Sequence, residues 1–112
     1  TYVEDTVRGF LLAGDRAGAV GGTFNLGTGQ AVSIGDLAKK IIALIGRPVK
    51  VEIDPQRVRP EGSEVMKLIS DPSRAKQALG WESAVALDEG LRRTIEWVKK
   101  NLDRYKPEIY NL

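Results

Sequence analysis

Three observations predict an α/β fold for this chain of 112 residues. Short apolar runs closed by glycine alternate with amphipathic stretches of helical period, the order that lays helices over a mostly parallel sheet. Hydrophobic residues make up 42% and charged residues 29%, a composition that buries a core and does not stay disordered. The strands number only three or four and have one helix-rich side, so the sheet is thin and is expected to belong to something larger.

Residues 1–3 read as the end of a strand. Glu4 and Asp5 then open a helix running to about Ala13, where two acidic groups favour its positive end; Val7, Phe10 and Leu11 share one face. The stretch GDRAGAVGG is a break, and TFNL is a buried-strand candidate ended by Gly27 and Gly29. Ser33 followed by Asp36 forms a capping box, with Asp in place of the usual Glu or Gln. It starts a helix whose Ile34, Leu37, Ala38, Ile41 and Ile45 form one stripe, stopped by Gly46 and Pro48. VKVEI alternates as a strand should, with Val49, Val51 and Ile53 on one side. VMKLIS is a further extended candidate. Asp71-Pro72 starts the helix SRAKQAL, which ends at Gly80. Asp88 starts a longer helix striped by Leu91, Ile95, Val98 and Leu102, and KPEIYNL closes the chain as an irregular tail.

The charge balance excludes several functions. Seventeen basic residues stand against 15 acidic, a net charge of +2, with both signs mixed along the chain. That pattern argues against a nucleic-acid-binding or polybasic membrane surface. The absence of cysteine and histidine removes disulfides, thiolate or imidazole metal sites, and Ser-His-Asp or Cys-His catalysis. No apolar run reaches the roughly 20 residues that cross a bilayer, and a cytoplasmic location is expected. A start at TYVEDT, in what reads as the middle of an element, is expected of a piece of a longer protein.

The catalytic motifs weighed along the chain are incomplete. Gly27 and Gly29 follow a strand, but a dinucleotide fingerprint needs a third glycine where Val32 stands. Tyr2, Tyr105 and Tyr110 lack a lysine four positions on. Helix capping accounts for Glu4 and Asp5, packing for Trp81 and Trp97, and a solvated helix face for Lys39, Lys40, Lys99 and Lys100.

The loop RVRPEGSEV remains. Arg57 and Arg59 flank a valine and point the same way in an extended chain. Their planar donor forks match phosphate oxygens, and two of them could chelate a diphosphate. Pro60 stiffens the chain, and Gly62 permits a bend that returns Glu64 to the same region, where a carboxylate could accept from ribose hydroxyls. The competing account is a solvated loop holding a surface Arg–Glu pair worth ~0–1 kcal/mol. Spacing alone leaves both open.

Five motifs occur in order: YVEDTVRGFLLA, GGTFNLGTGQAVSIGDLAKKIIALIG, RPEGSEV, SDPSRAKQALGWE and LDEGLRRTIEWV. Together they resemble the C-terminal portion of an extended short-chain dehydrogenase/reductase of the NAD-dependent nucleotide-sugar epimerase/dehydratase family, over essentially the whole chain. The RPEGSEV form is most similar to the sugar 4,6-dehydratases acting on GDP-mannose and UDP-N-acetylglucosamine, with epimerases and UDP-glucuronate decarboxylases nearby.

The resemblance implies a division of labour. An N-terminal Rossmann domain, outside this chain, would bind NAD(P) and carry the catalytic tyrosine and lysine. Residues 1–46 would be the last strand-helix elements of that Rossmann-type sheet, and residues 47–112 a small α/β domain for the nucleotide-diphosphate sugar. Arg59 would contact the phosphates and Glu64 the ribose, with Arg57 beside them. Related loops place the acid three positions after the arginine, whereas Glu64 is five after Arg59. A second phosphate arginine would precede Thr1, and Asn25 would hold the strand-end turn. Catalytic, cofactor and metal residues are expected to be absent from this chain. Apolar surface meant for the missing portion would be exposed and could pair two copies. Two other readings stand beside this one: a stand-alone anion-binding module, and a purely structural or assembly domain.

Overall fold

The computed structural model describes residues 1–53 and 67–105. Among the described residues there are four α-helices: α1 Val3–Asp15, α2 Ile34–Ile45, α3 Ser73–Leu79 and α4 Leu87–Lys100. Short 3-10 turns follow α1 at Ala17–Ala19 and α4 at Leu102–Arg104.

The predicted helix ends hold where a local side chain or a glycine sets them. Ser33 Oγ accepts from the Asp36 amide at 3.0 Å and donates to Asp36 Oδ2 at 2.7 Å, closing the capping box that starts α2. Gly46 ends α2 with φ +69°, a left-handed conformation that costs glycine nothing. At α3, Asp71 Oδ1 accepts from both the amide (2.9 Å) and the hydroxyl (2.6 Å) of Ser73. Pro72 therefore sits at the cap itself, one position before the first helical residue.

The start of α1 differs from the expectation. Val3, assigned above to a strand, is helical, and Tyr2 is the cap residue with no side-chain capping bond. The packed face of the helix is also not the apolar one. Val7, Phe10 and Leu11 are 50%, 70% and 69% exposed. Asp5 and Gly9 are buried, and Leu12 and Ala13 pack on the core. Positions 5, 9, 12 and 13 make a stripe with the same period on the opposite side.

Among the described residues no β-ladder forms. Residues 1–2, 23–26, 49–53 and 67–70, expected as parts of strands, carry no strand assignment. A ladder needs a neighbouring strand, and none of these segments has one among the described residues. Val49, Val51 and Ile53 are correspondingly 52%, 66% and 83% exposed. The rest of VMKLIS, and the KPEIYNL tail, lie outside the described residues.

The buried apolar cluster is small: Ala19, Ala75, Leu79 and Trp81, with Leu12, Ala13, Phe24 and Leu26 packed against it. Arg74 stacks over the Phe24 ring at 5.4 Å. Trp81 is completely buried, as expected, but Trp97 is 51% exposed and meets Tyr105 edge-on with ring centroids 6.3 Å apart. The Cα radius of gyration is 17.4 Å, against about 13–14 Å for a compact domain of this length. Helices α2 and α4 pack together, and Lys40 Nζ meets Asp88 Oδ1 at 2.7 Å across that contact.

Candidate functional site

A cleft of ≈ 570 Å³ opens between three stretches distant in sequence. One wall is the entry to α1, with Thr1 and Tyr2; another is the turn from Thr28 to Val32; the third runs from Ser83 into the first turns of α4. Among the described residues every side chain lining it is uncharged, and the polar side-chain groups are hydroxyls and the Gln30 amide. Such a lining offers hydrogen bonds without charge, which suits a neutral polar ligand better than an anion.

Asp5 fixes two of these walls relative to each other. Its side chain accepts at 3.0 Å from each of three consecutive residues: Ser83 Oγ and the Val85 amide on Oδ2, and the Ala84 amide on Oδ1. Arg8 Nη2 reaches Oδ1 at 2.8 Å and also bonds the Glu82 carbonyl. The backbone carbonyl of Asp5 accepts from Trp81 Nε1 at 2.8 Å. Burial alone would push the Asp5 carboxyl up; the Ala84 and Val85 amides, the Ser83 hydroxyl and Arg8 outweigh it and hold the carboxyl below the ordinary value. Arg93 braces the same junction from α4, bonding Glu89 Oε1 at 2.8 Å and Glu4 Oε2 at 3.1 Å while lying 5.6 Å from the Tyr2 ring centroid. Glu4 and Asp5 stand in the first turn of α1, as expected, and in addition bond residues far along the same chain.

The turn through Gly27 and Gly29 is packed and bonded locally. Gly27 is buried against Ser70, and Gly29 is left-handed at φ +69°. Thr28 Oγ1 takes the Gln30 amide at 3.3 Å, and α2 begins only after Ser33 has claimed the Asp36 amide.

The three residues singled out for the diphosphate, Arg57, Arg59 and Glu64, lie outside the described residues. Asp5, assigned from the sequence to the helix start alone, is the residue whose wider role sequence reasoning missed. The available signal was its place on the stripe with Gly9, Leu12 and Ala13, an acid on a face made of small and apolar residues.

Residues 1–94 match the family described as GDP-mannose 4,6 dehydratase. The chain belongs to the nucleotide-sugar epimerase/dehydratase family. Relatives in this family include UDP-glucose 4-epimerase of Mycolicibacterium smegmatis, 36% identical over 98 residues, which span 88% of this chain and 30% of the relative. UDP-glucuronate 4-epimerase of Thermodesulfobacterium geofontis is 32% identical over 107 residues, 95% of this chain and 31% of that protein. The solved structure of epimerase Mth375 from Methanothermobacter thermautotrophicus superposes with a TM-score of 0.82 at 34% identity, over 93% of this chain and 30% of that one. The Bordetella bronchiseptica enzyme WbmF, in complex with NAD+ and UDP, gives 0.71 at 34% identity, over 91% and 29%. The chain thus spans about 30% of the length of these family members. At 34% identity and these TM-scores, the path of the backbone follows that of both structures.

Proposed function

We propose that this chain is the substrate-binding C-terminal portion of an NAD-dependent nucleotide-sugar epimerase or dehydratase, holding the nucleotide diphosphate. The observation that carries the reading is the similarity to WbmF, a protein bound to NAD+ and UDP, over 91% of this chain and 29% of that one. Arg59 contacts the phosphates through its planar fork, Glu64 accepts from the ribose hydroxyls, and Arg57 adds positive charge beside them. The uncharged cleft beside Tyr2 and Ser83 supports the same assignment, because it leaves the anion to the arginine loop.

In the whole enzyme NAD(P) supplies the transient oxidation of the sugar. The share of this chain is positional: binding energy at the remote diphosphate holds the sugar where it can react. The isolated 112-residue chain is accordingly expected to give no turnover and no NAD binding. Calorimetry with UDP- and GDP-sugars tests the reading. The expected result is weak binding by the chain that Arg59→Ala abolishes. Micromolar affinity lost in the same variant would mark a self-sufficient anion-binding module, and no binding of any nucleotide would leave only a structural role.

A further inference from the structure

We propose that Asp5 is a positioning residue for substrate binding: its carboxylate locks the 83–85 segment, and with it the far wall of the cleft, onto the entry of α1. The inference rests on the nucleotide-sugar reading above and adds a residue to it.

The geometry is that of a tether. Three donors from three successive residues converge on one carboxylate across 78, 79 and 80 positions of sequence. Asp5 is 2% exposed, so its carboxylate is shielded from water that could replace these donors, although Ser83 and Val85 are only half-buried and Ala84 is exposed. A buried carboxylate holds its donors in one geometry, because without them it would be a buried charge short of partners.

What the tether holds is placed to matter for binding. Upstream of Ser83, α3 and Trp81 form the buried core and end the segment that follows the arginine loop in sequence. Downstream, Ala86 is the cap residue of α4, whose Leu87, Gly90 and Thr94 line the cleft. On the other side of Asp5, Tyr2 lines the same cleft. One carboxylate therefore fixes the Ser83–Val85 wall against the α1 entry on either side of the cleft. Helix capping needs none of this, and α1 has no side-chain cap bond.

Two readings of the same chain separate the steps. Hydrogen exchange reads the tether: Asp5→Asn, whose amide group adds donors where only acceptors fit, should speed exchange of the Ala84 and Val85 amides while the middle of α4 stays protected. A titration with UDP, followed through amide chemical shifts at a temperature where the variant is folded, reads the consequence. The expected result is a rise in Kd of about tenfold, the effect of losing one bond to a charged acceptor. Ser83→Ala, which removes a single donor, covers the case in which Asp5→Asn does not fold and should give a smaller rise, restored by Ser83→Thr. Unchanged UDP affinity with freely exchanging amides would reduce Asp5 to a structural staple and overturn the proposal. Unchanged exchange would remove the tether itself. A wild-type chain that ignores UDP would sink the nucleotide-sugar reading and this inference with it, while the exchange data would still report the tether.

Discussion

The indole Nε1 of Trp81 donates to the backbone carbonyl of Asp5 at 2.8 Å, joining residues 76 positions apart. Trp81 is wholly buried, so its one polar group has no water to fall back on. The ring fills the space between α1 and α3, and the bond fixes its orientation. Trp81→Phe keeps most of that volume but removes the indole donor, leaving the Asp5 carbonyl with only its helical partner and a gap where the five-membered ring packed. We expect a loss of about 1–3 kcal/mol, read as a lower urea midpoint at unchanged m-value. Trp81→Ala should cost about 3–5 kcal/mol, because a cavity is added to the lost bond.

Two glycines of α1 should respond to alanine in opposite directions. Nothing lies within 4 Å of a Cβ built on Gly14, so Gly14→Ala should stabilise by about 0.5–1 kcal/mol through helix propensity alone. A Cβ on Gly9 would overlap the terminal methyls of Leu26, which packs on the core from the other side. Leu26 must shift there, and Gly9→Ala should fall short of the Gly14→Ala gain and end at a net loss of about 1 kcal/mol or more. Thermal unfolding of the two variants side by side decides it; equal gains would show that Leu26 moves freely.

These contrasts show what was legible in the sequence. Helix ends set by a partner within three residues, such as Ser33 with Asp36 and Asp71 with Ser73, could be read directly. So could Gly46 and Gly80, which end α2 and α3 in the left-handed conformation. The packed face of α1 could not, because hydrophobic period marks which residues are apolar and says nothing about which neighbour is present to cover them. Val7, Phe10 and Leu11 have the better pattern and are exposed; Asp5, Gly9, Leu12 and Ala13 have the neighbour. Strands failed for the same reason, since pairing depends on a second segment. The tether on Asp5 spans 78 to 80 positions, beyond any local rule. The arginine loop was read from the order of motifs, and Arg57, Arg59 and Glu64 rest on that reading.

Stability should depend on pH only on the acid side. With no histidine or cysteine in the chain, no side chain of ordinary pKa titrates between about pH 5 and 8. The Asp5 carboxyl is held below the ordinary value despite its burial, by the Ala84 and Val85 amides, the Ser83 hydroxyl and Arg8. The folded chain thus binds fewer protons than the unfolded chain in the range at and just below the ordinary carboxylate value. Stability is present above that range and is lost as pH falls through the folded value. Asp36, Asp71, Glu82 and Glu89 are also lowered, each chiefly by a side-chain hydrogen bond, but all lie at the surface where solvent weakens the effect. Urea midpoints should be flat from about pH 8 to 5 and fall below about pH 4. Asp5→Asn should start lower and show a shallower acid limb; an equally steep limb would place the titration at the surface pairs.

The exposed face of α1 should make the isolated chain associate. Val3, Val7, Phe10 and Leu11 are 62%, 50%, 70% and 69% exposed along one side of a helix whose other side is packed. Contiguous apolar surface of that kind is rarely left open in a monomer. In the longer relatives, of which this chain spans about 30%, there is ample further chain to cover such a face. Two copies of the 112-residue chain can cover it by facing each other, the pairing a two-fold axis permits. Sedimentation equilibrium should therefore show a concentration-dependent dimer. The double variant Phe10→Glu, Leu11→Glu should shift it to monomer without loss of helical dichroism, since neither side chain belongs to the packed core. A wild-type chain that stays monomeric at high concentration would mean that the stripe is tolerated in water and is no docking face.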